Sequence, residues 1–304
     1  MILKYIVDEE SSGKNVKYIL KNKLDLSERL VKRLKYSSKV LCNSTPVYVN
    51  TIVKTGDIIE ALVDFEEDCS DIIPEKIDMD IIYEDEFMIV LNKQSNIVVH
   101  PTSSHISGTI ANAIMYYLSS KGISKKIRPV SRLDRDTTGI IIFAKNEYVQ
   151  ESLIRQMNNK LFSKEYIGVV YGNVYPCKGT INMPIGRKPD SIMLRHITPS
   201  GDHAVTHYET LELFPNATKL KFLLETGRTH QIRVHCQGIG HPLIGDTLYP
   251  PLSPVAYEML NEYIGRQALH SHRVRFIHPF FKSEMDLLAP IPADMINLLE
   301  ILRK

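Results

Sequence analysis

An aspartate bracketed by two arginines, in Arg132-Leu133-Asp134-Arg135-Asp136-Thr137-Thr138-Gly139, is where this sequence first offers chemistry. The Thr-Thr-Gly turn opens into the apolar run Ile140-Ile141-Ile142-Phe143-Ala144. Two readings are open for the acid. One is a surface loop carboxylate paired with a neighbouring arginine, which contributes little. The other is a carboxylate kept ionised by cationic surroundings and aimed into a cleft, as a nucleophile must be. Deciding between them requires the segments that would surround it.

Four further segments follow or precede this loop in order. They are Tyr83-Glu84-Asp85-Glu86-Phe87-Met88-Ile89-Val90-Leu91-Asn92-Lys93, continuing to Val98-Val99-His100-Pro101, and Lys164-Glu165-Tyr166-Ile167-Gly168-Val169-Val170-Tyr171-Gly172. Then come Ala204-Val205-Thr206-His207-Tyr208-Glu209 and Leu224-Glu225-Thr226-Gly227-Arg228-Thr229-His230-Gln231-Ile232-Arg233-Val234-His235. The last runs on to Gly240-His241-Pro242-Leu243-Ile244-Gly245-Asp246-Thr247-Leu248-Tyr249.

Apolar runs at Met88 to Leu91, Ile140 to Ala144, Ile167 to Val170 and Leu220 to Leu224 read as strands. Helical candidates are Ile110 to Leu118, Tyr148 to Met157, His230 to Gly238 and Ala293 to Leu302. Strands outnumber helices without regular alternation, so the expectation is α+β with a mixed, largely antiparallel sheet rather than a doubly wound fold.

At the amino end a small α/β module is expected over residues 1–66. Ser27 can cap a helix running through Leu34, with Leu30, Val31 and Leu34 as its apolar stripe and Arg29, Lys32, Arg33 and Lys35 on the other faces. Short strands are expected at Val40-Leu41-Cys42, Val47-Tyr48-Val49 and Ile58 to Val63. Residues 67–80 read as an acidic linker carrying Pro74, and residues 81–304 as the catalytic domain. The order of basic helix, strand, turn and strand resembles the αL RNA-binding module of ribosomal small-subunit protein four, although Cys42-Asn43-Ser44-Thr45-Pro46 replaces the expected Val-Asn-Gly turn.

A net charge of +2 over 304 residues hides a segregation. Between Lys14 and Lys54 ten basic residues face only Asp25 and Glu28, whereas Asp57 to Glu86 is predominantly acidic. Such a basic block is either a solvated helix face or the footprint of a polyanion binder. No apolar run approaches the roughly 20 residues that span a bilayer, and the start lacks the regions of a signal peptide. The four cysteines are scattered, which points to reduced thiols and a cytoplasmic protein.

Taken in order and spacing, the segments over about residues 80–280 resemble the RluA-type family of pseudouridine synthases. Two positions depart from its pattern: Ser131 stands where a histidine is usual, and Thr138 replaces a serine while keeping a hydroxyl. The resemblance implies an α+β catalytic domain whose central sheet is split by a basic cleft. It implies an activity that detaches uracil from ribose C1′, rotates it and rejoins it through C5, with no cofactor and no metal. Asp134 would be the essential acid, acting at C1′, at uracil C6 or on the C2′ proton.

Within that resemblance Arg228 is the cation paired with Asp134, since an adjacent guanidinium keeps a buried acid ionised. Tyr166 packs on the target uracil and is a candidate base for C5, while Leu223 or Leu224 supplies an apolar floor. The target uridine must be extruded or already unpaired. Arg132 and His100 are candidates to position it. Lys164, Arg187, Lys188, Arg195, Arg233, Arg273 and Arg275 are candidate phosphate contacts along the cleft, with Arg29 and Arg33 contributing from the amino-terminal module.

The histidines do not read as a metal site. His203 and His207 lie on a segment that alternates like a strand, His230 and His235 are five apart, and no His-Glu-x-x-His occurs. No Walker-type loop is present, so no nucleotide cofactor is expected. The expected partner is RNA, ribosomal in preference to transfer RNA because the amino-terminal module suits a large structured RNA, and the expected state is a monomer. The rival from another class is a catalytically idle RNA-binding or ribosome-assembly protein on the same fold. A hydrolase using Asp134 and Asp136 would need water between its carboxylates, which adjacent loop positions do not establish.

Overall fold

The structure is a computed structural model of the chain and describes residues 1–65, 67–102, 105–251 and 258–304. Its first sheet has four antiparallel strands in the order β1 (Ile2–Ile6), β4 (Ile58–Leu62), β2 (Val40–Cys42), β3 (Thr45–Pro46). Two helices pack on it, α1 (Val16–Asn22) and α2 (Glu28–Lys35). Ser27 caps α2 by accepting from the Leu30 N–H at 3.1 Å, and Leu30, Val31 and Leu34 are buried. Asn43 and Ser44 both take positive φ, which closes a two-residue hairpin and pairs Cys42 directly with Thr45. The return strand therefore falls at residues 45–46, not at the expected 47–49.

The segment after this sheet is fastened on both sides. Asp64 meets the Met1 amino group and Lys125, Glu67 meets Arg33 and Arg128, and Asp71 meets Lys126. A single cluster of buried apolar side chains runs from Ile19, Leu30 and Leu34 through to Phe87, Val149 and Leu153. The amino-terminal module is thus packed against the rest of the chain.

The large sheet has the path β10 (Lys178–Asn182), β13 (Val205–Phe214), β14 (Ala217–Leu224), β9 (Ser163–Tyr171), β15 (Leu269–Ile277), β8 (Thr138–Ala144), β6 (Met88–Lys93), β5 (Asp80–Glu84). Two strands branch from it, β16 (Glu284–Leu288) on β15 and β7 (Arg128–Pro129) on β8. Among the described residues every pairing of this sheet is antiparallel except β15 with β8, which is parallel and touches at His270 with Thr138 and at Ser271 with Gly139. The sheet divides there into two halves. A separate hairpin, β11 (Ile185–Arg187) with β12 (Arg195–Ile197), stands beside the half that holds β9, β13 and β14.

Residue parity assigns the faces. On β8, Ile141 and Phe143 pack with α3 (Ile110–Ser120), while Ile140, Ile142 and Ala144 share a cluster with residues of α4 (Glu147–Asn158). All of β8 is buried, as expected of a strand covered on both sides. On β9, Tyr166 and Val170 pack with α5 (Gln231–Gly238), while Ile167, Val169 and Tyr171 pack with α7 (Ala293–Leu302). Leu133 joins the α3 cluster to the α5 cluster across the division.

One cross-strand row ties the two halves together, running Lys93, Gly139, Ser271, Tyr166, Phe222, Tyr208. Gly139 has φ +105°, and a Cβ there would lie 2.2 Å from the Ser271 carbonyl oxygen. Only glycine permits this approach. Among the described residues no helix is long and apolar enough to cross a membrane, and no group of three His, Cys, Asp or Glu is placed to hold a metal.

Candidate active site

Asp134 lies in the loop leading into β8, immediately before the point where the sheet divides. The loop turns tightly, with Thr137 N–H donating to the Asp134 carbonyl at 3.1 Å. The Thr137 hydroxyl accepts from Gln267, and the Thr138 hydroxyl lies 2.9 Å from His270 Nδ1. Beneath the loop the buried Lys93 ammonium donates to the carbonyls of Gln94, Ile97 and Arg135.

The flanking arginines do not neutralise Asp134. Arg132 is exposed, and Arg135 turns onto Asp136. The cation comes from α5: Arg233 Nη1 donates to Asp134 Oδ2 at 3.1 Å. The same guanidinium makes a two-pronged contact with the fully buried Asp246, Nε to Oδ2 at 2.7 Å and Nη2 to Oδ1 at 2.8 Å. Asp246 in turn accepts from the backbone N–H groups of Leu248 and Tyr249. Burial works against the charge on Arg233, but Asp246 and then Asp134 outweigh it and hold the guanidinium well above its ordinary pKa.

Arg228 is placed elsewhere. Its Nε donates to the His203 carbonyl at 3.0 Å, its Nη1 is 3.8 Å from Asp202, and its side chain is 42 % exposed. The expected Asp134–Arg228 pair is therefore replaced by Asp134–Arg233. The reason is local. Arg228 precedes α5 in a turn held by Gln231, whose Oε1 accepts from the Arg228 N–H and the Thr226 hydroxyl, whereas Arg233 lies on the buried face of the helix itself.

Tyr166 is buried, on the face of β9 turned toward α5. Burial pushes its phenol up to about 12, opposed by Ser271 and reinforced by the negative charge of Asp134. At neutral pH it is an O–H donor. Leu224 packs into the same cluster, while Leu223 has opposite parity and is exposed, which identifies the residue available as an apolar floor. Lys164 shares the parity of Tyr166, and burial draws its pKa down to about 8.

Several expected RNA contacts lie away from Asp134. Arg29 pairs with Glu147 at 2.5 Å, and Arg33 donates to Glu67 and Glu147, each at 2.9 Å, with its guanidinium 4.0 Å above the Phe65 ring. Glu147 of α4 thus meets the Arg29 and Arg33 edge of α2, while Lys32 and Lys35 stay exposed. Arg273 and Arg275 pair with Asp286 and register against Glu165 and Ser163, on the face opposite Tyr166. They line a groove of about 630 Å³ on that rear face. His100 is half-buried beside the Pro101 carbonyl. Arg187 and Lys188 are exposed on the β11–β12 hairpin, where the Arg195 guanidinium is occupied by the carbonyls of residues 192–194.

Four residues with a part in this arrangement escaped the sequence reading: Lys93, His230, Asp246 and Tyr249. Asp246 and Tyr249 stood in a recognised motif without a role, and their signal was the need of a buried arginine for a carboxylate. Lys93 carried a signal too, as a lysine ending a strand that begins with the apolar run Met88–Leu91.

Comparison with known proteins gives the family of the chain. A model of the RNA pseudouridylate synthase family matches residues 87–238, and a model of the RluD ribosomal pseudouridine synthase N-terminal domain matches residues 3–59. The uncharacterised RNA pseudouridine synthase YjbO of Bacillus subtilis (strain 168) is 40% identical over 278 residues, covering 91% of this chain and 95% of that protein. The ribosomal large subunit pseudouridine synthase D of Blochmanniella floridana is 37% identical over 316 residues, covering 98% of each. In fold, the chain is similar to human RNA pseudouridylate synthase domain containing 4, with a TM-score of 0.60 at 22% identity over 74% of this chain and 93% of that one. The chain belongs to the RNA pseudouridylate synthase family.

Proposed function

We propose that this RNA pseudouridine synthase isomerises a uridine of large-subunit ribosomal RNA in the cytoplasm, with Asp134 as its essential acid. The observation that carries the reading is Asp134, ion-paired to Arg233 at the division of the sheet. The reaction breaks the bond from C1′ to N1 and forms one from C1′ to C5; C5 loses a proton and N1 gains one. The Asp134 carboxylate, with the Arg233 guanidinium on one of its oxygens, is suited to act on the nucleoside. Tyr166 and Leu224 would hold the detached base between an aromatic face and an apolar floor. Ribosomal RNA, rather than transfer RNA, is favoured by the match of residues 3–59 and by relatives named for the large ribosomal subunit.

The test is release of tritium from uracil C5 in total RNA of a strain lacking this gene, comparing wild type with Asp134→Asn. Release by wild type that vanishes in the variant, and maps to large-subunit RNA, is the expected result. Release that survives Asp134→Asn overturns the role of the acid, and release confined to transfer RNA overturns the target.

A further inference from the structure

His230 occupies the N-cap position of α5 in left-handed backbone, φ +59°, yet its side chain makes no capping hydrogen bond. An N-cap side chain ordinarily accepts from the first turn of its helix, and a non-glycine residue in this conformation is held there by its surroundings. The imidazole instead spans two groups. Its Nδ1 lies 2.8 Å from the Tyr249 hydroxyl, and its Nε2 lies 3.8 Å from Asp134 Oδ1.

The hydrogen-bond directions can be assigned. Tyr249 is buried, and its oxygen accepts the Arg195 backbone N–H at 2.9 Å. If His230 also donated to that oxygen, the hydroxyl proton would be left buried without an acceptor, which is costly. Tyr249 therefore donates to Nδ1, and the neutral ring carries its proton on Nε2, toward Asp134. Burial supports the neutral form by lowering the His230 pKa; Asp134 and Asp246 oppose this, while Arg233 and Arg195 reinforce it. Asp134 thus has Arg233 on one oxygen, and on the other an N–H too distant for a hydrogen bond by a little under 1 Å.

Arg195 opens β12, in the hairpin that carries exposed Arg187 and Lys188 on one side and the exposed apolar tip Ile192 and Met193 on the other. We propose that His230 is a positioning residue for Asp134, and that Tyr249 couples it to the hairpin, so that seating the hairpin on RNA closes the second hydrogen bond to the acid. This deepens the function proposed above and rests on Asp134 being the essential acid. The coupling runs through one hydroxyl, one imidazole and one carboxylate, with no atom exchanged. Its consequence is that RNA binding and readiness of the acid are linked at a site where neither Tyr249 nor His230 need touch the uridine.

The test pairs a tautomer measurement with single-turnover kinetics. Imidazole ¹⁵N spectra of the free protein should show His230 protonated on Nε2, and Tyr249→Phe should abolish that preference. Tyr249→Phe should slow single-turnover isomerisation about tenfold while the RNA dissociation constant stays within about twofold. His230→Asn, which tolerates the left-handed backbone and offers an N–H, should be faster than His230→Ala. A wild-type proton on Nδ1, a Tyr249→Phe rate equal to wild type, or a rate loss matched by an equal loss of RNA affinity overturns the proposal. Continued isomerisation by Asp134→Asn instead overturns the reading of the acid, and the ¹⁵N result separates the two failures.

Discussion

Arg233 and Asp134, 99 residues apart in sequence, meet at 3.1 Å across the division of the central sheet. The arginine comes from α5, which packs on the half holding β9, and the aspartate from the loop feeding β8 in the other half. Their ion pair therefore depends on the two halves holding a fixed relation. Gly139 against Ser271 and Leu133 bridging two apolar clusters supply that relation. Asp246 completes it by fixing the guanidinium plane from behind, so that only Nη1 remains for the acid.

Arg233, rather than Arg228, should be the arginine whose charge matters. Lysine cannot reproduce a fork that serves two carboxylates at once. Arg233→Lys should lower the single-turnover rate by about 10²-fold or more. Arg233→Ala leaves the buried Asp246 unpaired and should cost about 3–5 kcal/mol of stability. Arg228→Ala, on an exposed side chain, should stay within about 0.5 kcal/mol in a urea melt and retain most of its rate. Tritium release assays on the three variants would check this order, and an Arg228→Ala loss as deep as that of Arg233→Lys would contradict it.

Tyr166 should act as a phenol and not as a phenolate. With its pKa pushed up to about 12, roughly one molecule in 10⁵ is ionised at pH 7. If the phenolate removed the C5 proton, the rate would climb tenfold per pH unit until the phenol titrated. The expected single-turnover profile is instead flat from pH 7.5 to 10. A unit slope over that range would restore Tyr166 as the base.

What could be read from the sequence was local. Ser27 and the stripe Leu30, Val31, Leu34 define α2 because a cap and a period lie within eight residues. The run Ile140 to Ala144 reads as a buried strand by itself. Arg228 against Arg233 was not legible, because Arg228 sits in a turn before α5 whose hold by the Gln231 side chain is a tertiary detail, while Arg233 lies within the buried helix. Arg29 and Arg33 were correctly placed off the apolar stripe, but periodicity does not say whether solvent, RNA or α4 covers the other face. For Arg273 and Arg275 the side of the sheet depends on an irregularity between Ser271 and Arg273 that only the pairing reveals.

Those placements separate cations held in ion pairs from exposed ones free to meet RNA. Arg33→Ala removes contacts to Glu67 and Glu147 and should cost about 1–2 kcal/mol, after discounting for its partial exposure. It should leave the dependence of RNA affinity on salt unchanged. Lys188→Ala should do the reverse, leaving stability within about 0.5 kcal/mol while reducing the slope of log affinity against log salt by roughly 0.7–0.9. Filter binding over a salt series, with melts of each variant, measures both. A shallower slope for Arg33→Ala would return that residue to the RNA surface.

Lys93 should show itself through pH. Its ammonium is buried beneath the Asp134 loop and donates to three carbonyls, including Arg135 at 2.7 Å. Burial draws its pKa down to about 7 against the opposing pull of Asp136 and Asp134. Between about pH 7 and 10.5 the native protein has then released a proton that the unfolded chain still holds. Stability due to this residue must rise with pH through that window, and the cost of burying the charge is full below it. Lys93→Met, similar in shape but unable to titrate, provides the reference. The stability difference between wild type and Lys93→Met should move in favour of wild type from pH 7 to 10, by up to about 1.4 kcal/mol per unit. The variant should also isomerise RNA more slowly at unchanged affinity, since the Arg135 carbonyl loses its anchor one residue from Asp134. A difference independent of pH would mean that the three carbonyls solvate the ammonium as well as water does.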